Sequence, residues 1–177
     1  MARVYFADGR LDLATAALNK AREADAPWWV LAWFNGLVHA ENATEKEHFE
    51  RAIEDFEKIL DPDLQPAERK FDFTRDYIVR TRLGQTLYQR AQMEAEGSPE
   101  QRVWLTRAAK EFYRVLRDES EDLESHYGLA QVMTRLAAET WQPSPAKDVS
   151  SSQVYGILAQ PKLSDEAISQ LRGLISH

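Results

Sequence analysis

The apolar positions of this chain fall into short stripes at helical spacing, divided by turn residues. Ala14, Leu18 and Ala21 recur at steps of three and four between Gly9 and Pro27, which predicts a helix from Leu11 to about Ala24. Trp28 to about Glu41 forms the next. Thr44-Glu45-Lys46-Glu47 reads as a capping box opening a helix with Phe49, Ala52, Ile53, Phe56, Ile59 and Leu60 on one side, ended by Asp61-Pro62-Asp63. A long helix is expected from about Thr74 to Glu96, with Ile78, Leu83, Leu87 and Ala91 on its buried side and Gly97 as its break. Ser98 then caps a helix with Pro99 in its first position, running to about Arg117 and carrying Trp104, Ala108, Phe112, Val115 and Leu116. Another spans about Asp122 to Ala138. No segment alternates as a sustained strand does, so the fold class is all-α.

Beyond Trp141 the texture changes. Gln142-Pro143-Ser144-Pro145 and Ser150-Ser151-Ser152 look like a tether. Ser164-Asp165-Glu166 caps a last amphipathic helix with Ala167, Ile168, Leu171, Leu174 and Ile175. The division is therefore a helical domain over residues 1–140, then a linker and C-terminal capping helix over 141–177.

Composition narrows the function classes. The 177 residues can bury a real core, and no run of ~18 apolar residues exists to span a bilayer. The N-terminus lacks the basic-then-apolar pattern of a signal peptide. Without cysteine, the chain offers no disulfide, thiolate metal site or covalent haem attachment. Net charge is −7, yet residues 66–117 hold eleven Lys and Arg against seven Asp and Glu. An acidic molecule with a mildly basic middle is a poor nucleic-acid binder, so no nucleic-acid partner is expected.

A repeated phrase organises the helices. Gly9-Arg10-Leu11-Asp12-Leu13-Ala14 through Leu18 leads from a glycine turn into a helix with alanine and then a large residue four later. Ala52/Phe56 and Ala108/Phe112 repeat the step. Trp33-Phe34-Asn35-Gly36-Leu37, Leu83-Gly84-Gln85-Thr86-Leu87 and Leu123 to Met133 supply the partner pattern, with Leu129-Ala130 in the Leu-Gly place. These phrases resemble the tetratricopeptide repeat, a helical hairpin of ~34 residues in which small residues sit where helices cross closely. The resemblance covers roughly residues 1–138. It implies an α-α superhelix of stacked antiparallel hairpins: a partial first repeat, with Tyr5 in the late large place of its first helix, and about three more. The spacings depart from the family: Ala14 to Ala52 is 38 residues and Ala52 to Ala108 is 56.

Ala67 to Tyr77 with Leu83 to Leu87 also resembles repeat modules appended to bacterial multihaem cytochrome-like proteins. That implies a fragment of a longer chain, periplasmic in preference to cytoplasmic. The absent first half-hairpin points to a fragment independently.

Candidate chemistry is sparse. Glu45 and His48 are three apart and share a helix face, so both could hold one metal. Carboxylate-bridged di-metal bundles need a second such pair, which the chain lacks, though His39 and Glu41 could join His48 across the turn. A helical metal enzyme built on Glu45 and His48 is thus one alternative. No phosphate loop, nucleophile elbow or zinc-protease motif occurs. Asn42-Ala43-Thr44 fits a glycosylation acceptor, with helix capping the simpler reading. Trp28, Trp29, Trp33 and Phe34 form an aromatic cluster read as core, with Trp28 to one side.

The leading expectation is a non-enzymatic scaffold, without metal or cofactor, that docks a protein or peptide. In the repeat family the first helices line the concave side. By resemblance the groove positions are Phe34 and Val38, then Thr81, Gln85 and Tyr88, then Tyr127, Gln131 and Arg135, with Arg80, Arg82 and Arg135 receiving carboxylates. The family's chaperone-tail clamp needs lysine and asparagine at the places of Phe34 and Val38, and this chain has neither. A third reading is self-association, with the truncated N-terminal edge and the C-terminal helix pairing between chains as a homodimer.

Overall fold

The computed structural model describes residues 1–65 and 72–137, with Glu166, Ser169 and Gln170. These residues are all-α. Helices α1 (Ala2–Ala7), α2 (Leu11–Glu23), α3 (Trp28–Glu41), α4 (Lys46–Leu60), α5 (Tyr77–Gln92), α6 (Pro99–Asp118) and α7 (Leu123–Ala137) follow in order, with 3₁₀ turns at Pro62–Leu64 and Phe73–Arg75. The linker and C-terminal capping helix expected over 141–177 lie outside the described residues, apart from Glu166, Ser169 and Gln170, which are helical and exposed.

Two units divide the chain, Met1–Thr86 and Leu87–His177. In the first, α1 packs on α2, α2 on α3 and α3 on α4, and α1 also touches α3. Gly9 makes the first reversal possible. It adopts φ +70, a left-handed conformation that costs glycine little, and the amide of Arg10 then returns to the Tyr5 carbonyl at 2.8 Å. Ala14 and Leu18 of α2 are buried with Val38, covered by Tyr5, Phe6, Leu31 and Phe34. Ala52 and Phe56 of α4 are fully buried. Gly36 of α3 lets the helices close: a Cβ there would stand 2.6 Å from the Phe56 ring.

The second unit repeats that close approach. Ala108 and Phe112 of α6 are buried, and Gly128 of α7 lies against the Phe112 ring. Gly128, not the expected Ala130, is the small residue at the crossing, and Ala130 is exposed. Leu129 and Met133 are buried as expected. Ser98 caps α6, its Oγ accepting from the Gln101 amide at 3.1 Å, while Gln101 Oε1 accepts from Gly97 at 2.9 Å. The half-buried Trp104 is flanked by the guanidinium groups of Arg90 and Arg107, each 4.7 Å from its ring centroid.

Two expectations need correction. The capping box at Thr44 does not form. Helix α4 begins at Lys46 behind an extended Glu45, which places Thr44 outside the cap, and the Thr44 amide donates to His48 Nδ1 at 3.4 Å. The long helix from Thr74 to Glu96 is shorter at both ends. Asp76 Oδ1 accepts from the amides of Ile78 and Val79 at 3.0 and 3.1 Å, which starts α5 only at Tyr77. That phase leaves Ile78 51 % exposed and buries Val79 instead. At the other end, the amides of Met93 and Glu94 return to Arg90 and Ala91, tightening the chain out of the α-helix before Gly97.

Candidate functional site: an aromatic cleft in the first unit

The end of α4 and the 3₁₀ turn at Phe73–Arg75 are clasped together by Gln65. Its Nε2 donates to the carbonyls of Ile59 and Asp61 at 2.9 and 2.7 Å, and its Oε1 accepts from the Phe73 amide at 3.0 Å. Asp72 secures the turn that follows by accepting from the Thr74 amide and hydroxyl at 2.9 and 2.6 Å. Those bonds, the hydroxyl's first, hold the Asp72 carboxyl below the usual carboxylate range. The contribution is present above that range and fades as the pH falls through the lowered value. Arg80 closes the turn, both Nε and Nη2 donating to the Thr74 carbonyl.

Phe73, fixed in this way, stacks at a tilt on Trp29 with ring centroids 6.0 Å apart. Trp33 leans on Phe56 at 5.7 Å, and Trp28 meets Trp29 edge-on at 6.0 Å. Between these rings and the first turn of α5 is an open cleft of about 330 Å³. Trp29, Val30, Trp33 and Phe34 of α3 line one side. Ile59 and Phe73 lie within, and Asp76, Ile78 and Val79 form the rim on α5. Val30 is 36 % exposed, so apolar surface continues from the cleft to solvent.

The aromatic cluster is therefore not simply core. All four of its residues are half-buried. Trp28 is covered in part by Lys58, whose Nζ lies 5.7 Å from its ring centroid. The expected groove residues divide between the units. In the first, Phe34 lines the cleft, Gln85 is half-buried, and Val38 and Thr81 are buried. In the second, Tyr127 is 67 % exposed, Arg135 is exposed, and Tyr88 and Gln131 are half-buried. Of the arginines expected to receive carboxylates, Arg80 is engaged with Thr74, Arg82 donates to Gln85 at 3.0 Å, and Arg135 pairs with Glu96 at 3.3 Å.

Among the described residues no three His, Asp or Glu side chains converge as a metal site would require. His48 meets the Thr44 amide, and His39 Nδ1 lies 3.2 Å from Asp55 Oδ2, joining α3 to α4. No described helix is long and apolar enough to cross a membrane. The aromatic quartet was the sequence signal for the cleft, but Val30, Phe73, Asp76 and Ile78 carried none. The part played by Asp76 and Ile78 depends on where α5 begins.

Gln65→Ala is expected to lower stability by about 1 kcal/mol, the net worth of its hydrogen bonds after hydration of the freed groups. It is also expected to speed exchange of the Phe73 amide hydrogen. An unchanged exchange rate at Phe73 would count against the clasp.

No protein-family model matches the chain, and no curated protein or solved structure shows significant similarity to it.

Proposed function

We propose that the chain is a non-enzymatic helical-repeat module of the tetratricopeptide type, which docks a peptide or an extended segment of a partner protein in the cleft on α3. The observation that carries this reading is the cleft itself: a concave, solvent-open, mostly apolar surface on a helical scaffold. The repeat assignment draws support from the order of packing in the first unit, where each helix rests on the next and the alternate helices α1 and α3 also meet. It draws support too from the three buried alanine-led steps and from glycine set against a phenyl ring in each unit. Docking would use apolar burial against Trp29, Trp33 and Phe34.

A random dodecapeptide library displayed on phage and panned against the immobilised protein tests this. Enrichment of apolar sequences is expected. Val30→Glu combined with Ile78→Glu is expected to weaken the selected peptides at least about tenfold by fluorescence anisotropy. Both side chains are already substantially exposed, so the thermal transition should barely move. Selected peptides that bind the double variant as tightly as the parent would refute the cleft as the docking surface.

A further inference from the structure

We propose that the occupant of the cleft is a peptide segment that presents a bulky apolar side chain beside a lysine or arginine, with the cation meeting Asp76. This rests on the docking function above and adds the charge of the partner. Asp76 is the only ionisable side chain among those lining the cleft. Its Oδ1 accepts from two backbone amides, which hold the carboxylate in place at the start of α5. Those donors are neutral, and Asp76 forms no ion pair among the described residues.

Desolvation decides between occupants. An apolar side chain entering the cleft strips water from the carboxylate, which costs free energy unless a partner replaces it. A neighbouring cation replaces that water with a charge-assisted hydrogen bond. The indole and phenyl rings of Trp29, Trp33, Phe34 and Phe73 make the surroundings favourable to a cation as well. An acidic segment meets repulsion from Asp76, and the chain's net charge of −7 acts in the same sense during approach. Size agrees with a peptide side chain: about 330 Å³ is at the small end of ligand pockets, ~300–1,000 Å³, so it takes a side chain or two and not a folded surface.

Asp76→Asn isolates the charge. Asparagine caps a helix about as well as aspartate, so the start of α5 is kept while the negative charge is lost. Asp76→Ser, also a capping residue, is the second variant should the first fold poorly. The same dodecapeptide library is panned in parallel on the parent protein and on the variant. Sequences selected on the parent should carry Lys or Arg within two residues of an apolar anchor several-fold more often than the unselected library, and this excess should vanish on the variant. Individual peptides should bind the variant roughly fivefold more weakly. Apolar sequences selected without a basic excess, or a basic excess that persists on both variants, would overturn the assignment to Asp76 and leave the docking function standing. Selection of nothing by the parent protein would overturn both.

Discussion

Gly128→Ala is expected to destabilise the second unit by about 2 kcal/mol, although alanine is the better helix former. The new Cβ would stand 2.6 and 2.7 Å from Cε1 and Cε2 of Phe112, and closer still to Cζ. Phe112 is 1 % exposed, so its ring has no open space into which to swing. Overpacking of this kind costs ~1–3 kcal/mol, and contact with the whole end of a ring argues for the upper limit. The gain in helix propensity, about 1 kcal/mol, opposes it and loses. Phe112→Leu in the same chain should recover most of the loss, because the shorter side chain vacates the volume that the methyl enters. Urea denaturation of the four proteins of this double-mutant cycle supplies the check. Losses that simply add would show that glycine and ring do not share that space.

The second large effect concerns Arg90, a cation that is only 5 % exposed. Its Nη1 lies 2.6 Å from Glu94 Oε1, where both side chains are largely shielded from water, and its guanidinium lies against Trp104. Glu94→Gln keeps the shape and one acceptor oxygen but removes the negative charge of this pair. Breaking a buried pair on one side typically costs ~3–5 kcal/mol, and the retained acceptor places the expected loss near the lower figure, about 3 kcal/mol. Adding Arg90→Met should return much of it, since an apolar residue can replace a buried charge without loss. Urea titrations at low and high salt read both effects. The loss should hardly depend on salt, as befits a shielded pair. A loss under about 1 kcal/mol would mean that Arg90 is compensated by water or by another of its contacts and that the pair with Glu94 is not what holds it.

Local signals located most of the helices. Pro27, Ser98-Pro99 and the glycine turn at Gly9 each act on the backbone within a few residues, and α2, α3 and α6 begin where those residues dictate. The apolar stripe of α4 was equally legible, because Phe49, Ala52, Ile53, Phe56, Ile59 and Leu60 repeat at the helical period and all are buried. Caps that compete were not legible. Asp72 and Asp76 lie only four residues apart, and each could stop or start a turn. Only tertiary packing settles that Asp72 serves the 3₁₀ turn and Asp76 serves α5. That choice rotates the first turn of the helix, exposes Ile78 and builds one side of the cleft. Arg90 was unreadable for a different reason. Its position in the stripe of Leu83, Leu87 and Ala91 is ambiguous, and its burial depends on Glu94 and Trp104 meeting it from other turns. The groove positions carried by resemblance placed Phe34 on the cleft, but Val38 and Thr81 are packed inside, where the first unit spends their bulk on its own core.

The glycine-on-phenyl contact also has a historical consequence. Phe56 with Gly36, and Phe112 with Gly128, each divide a fixed volume between two positions far apart in sequence. Descendants of this chain can exchange those volumes only in a particular order. The ring must shrink first, which leaves a tolerable hollow, before the backbone position gains a carbon. The reverse order passes through an overcrowded ancestor that selection would remove.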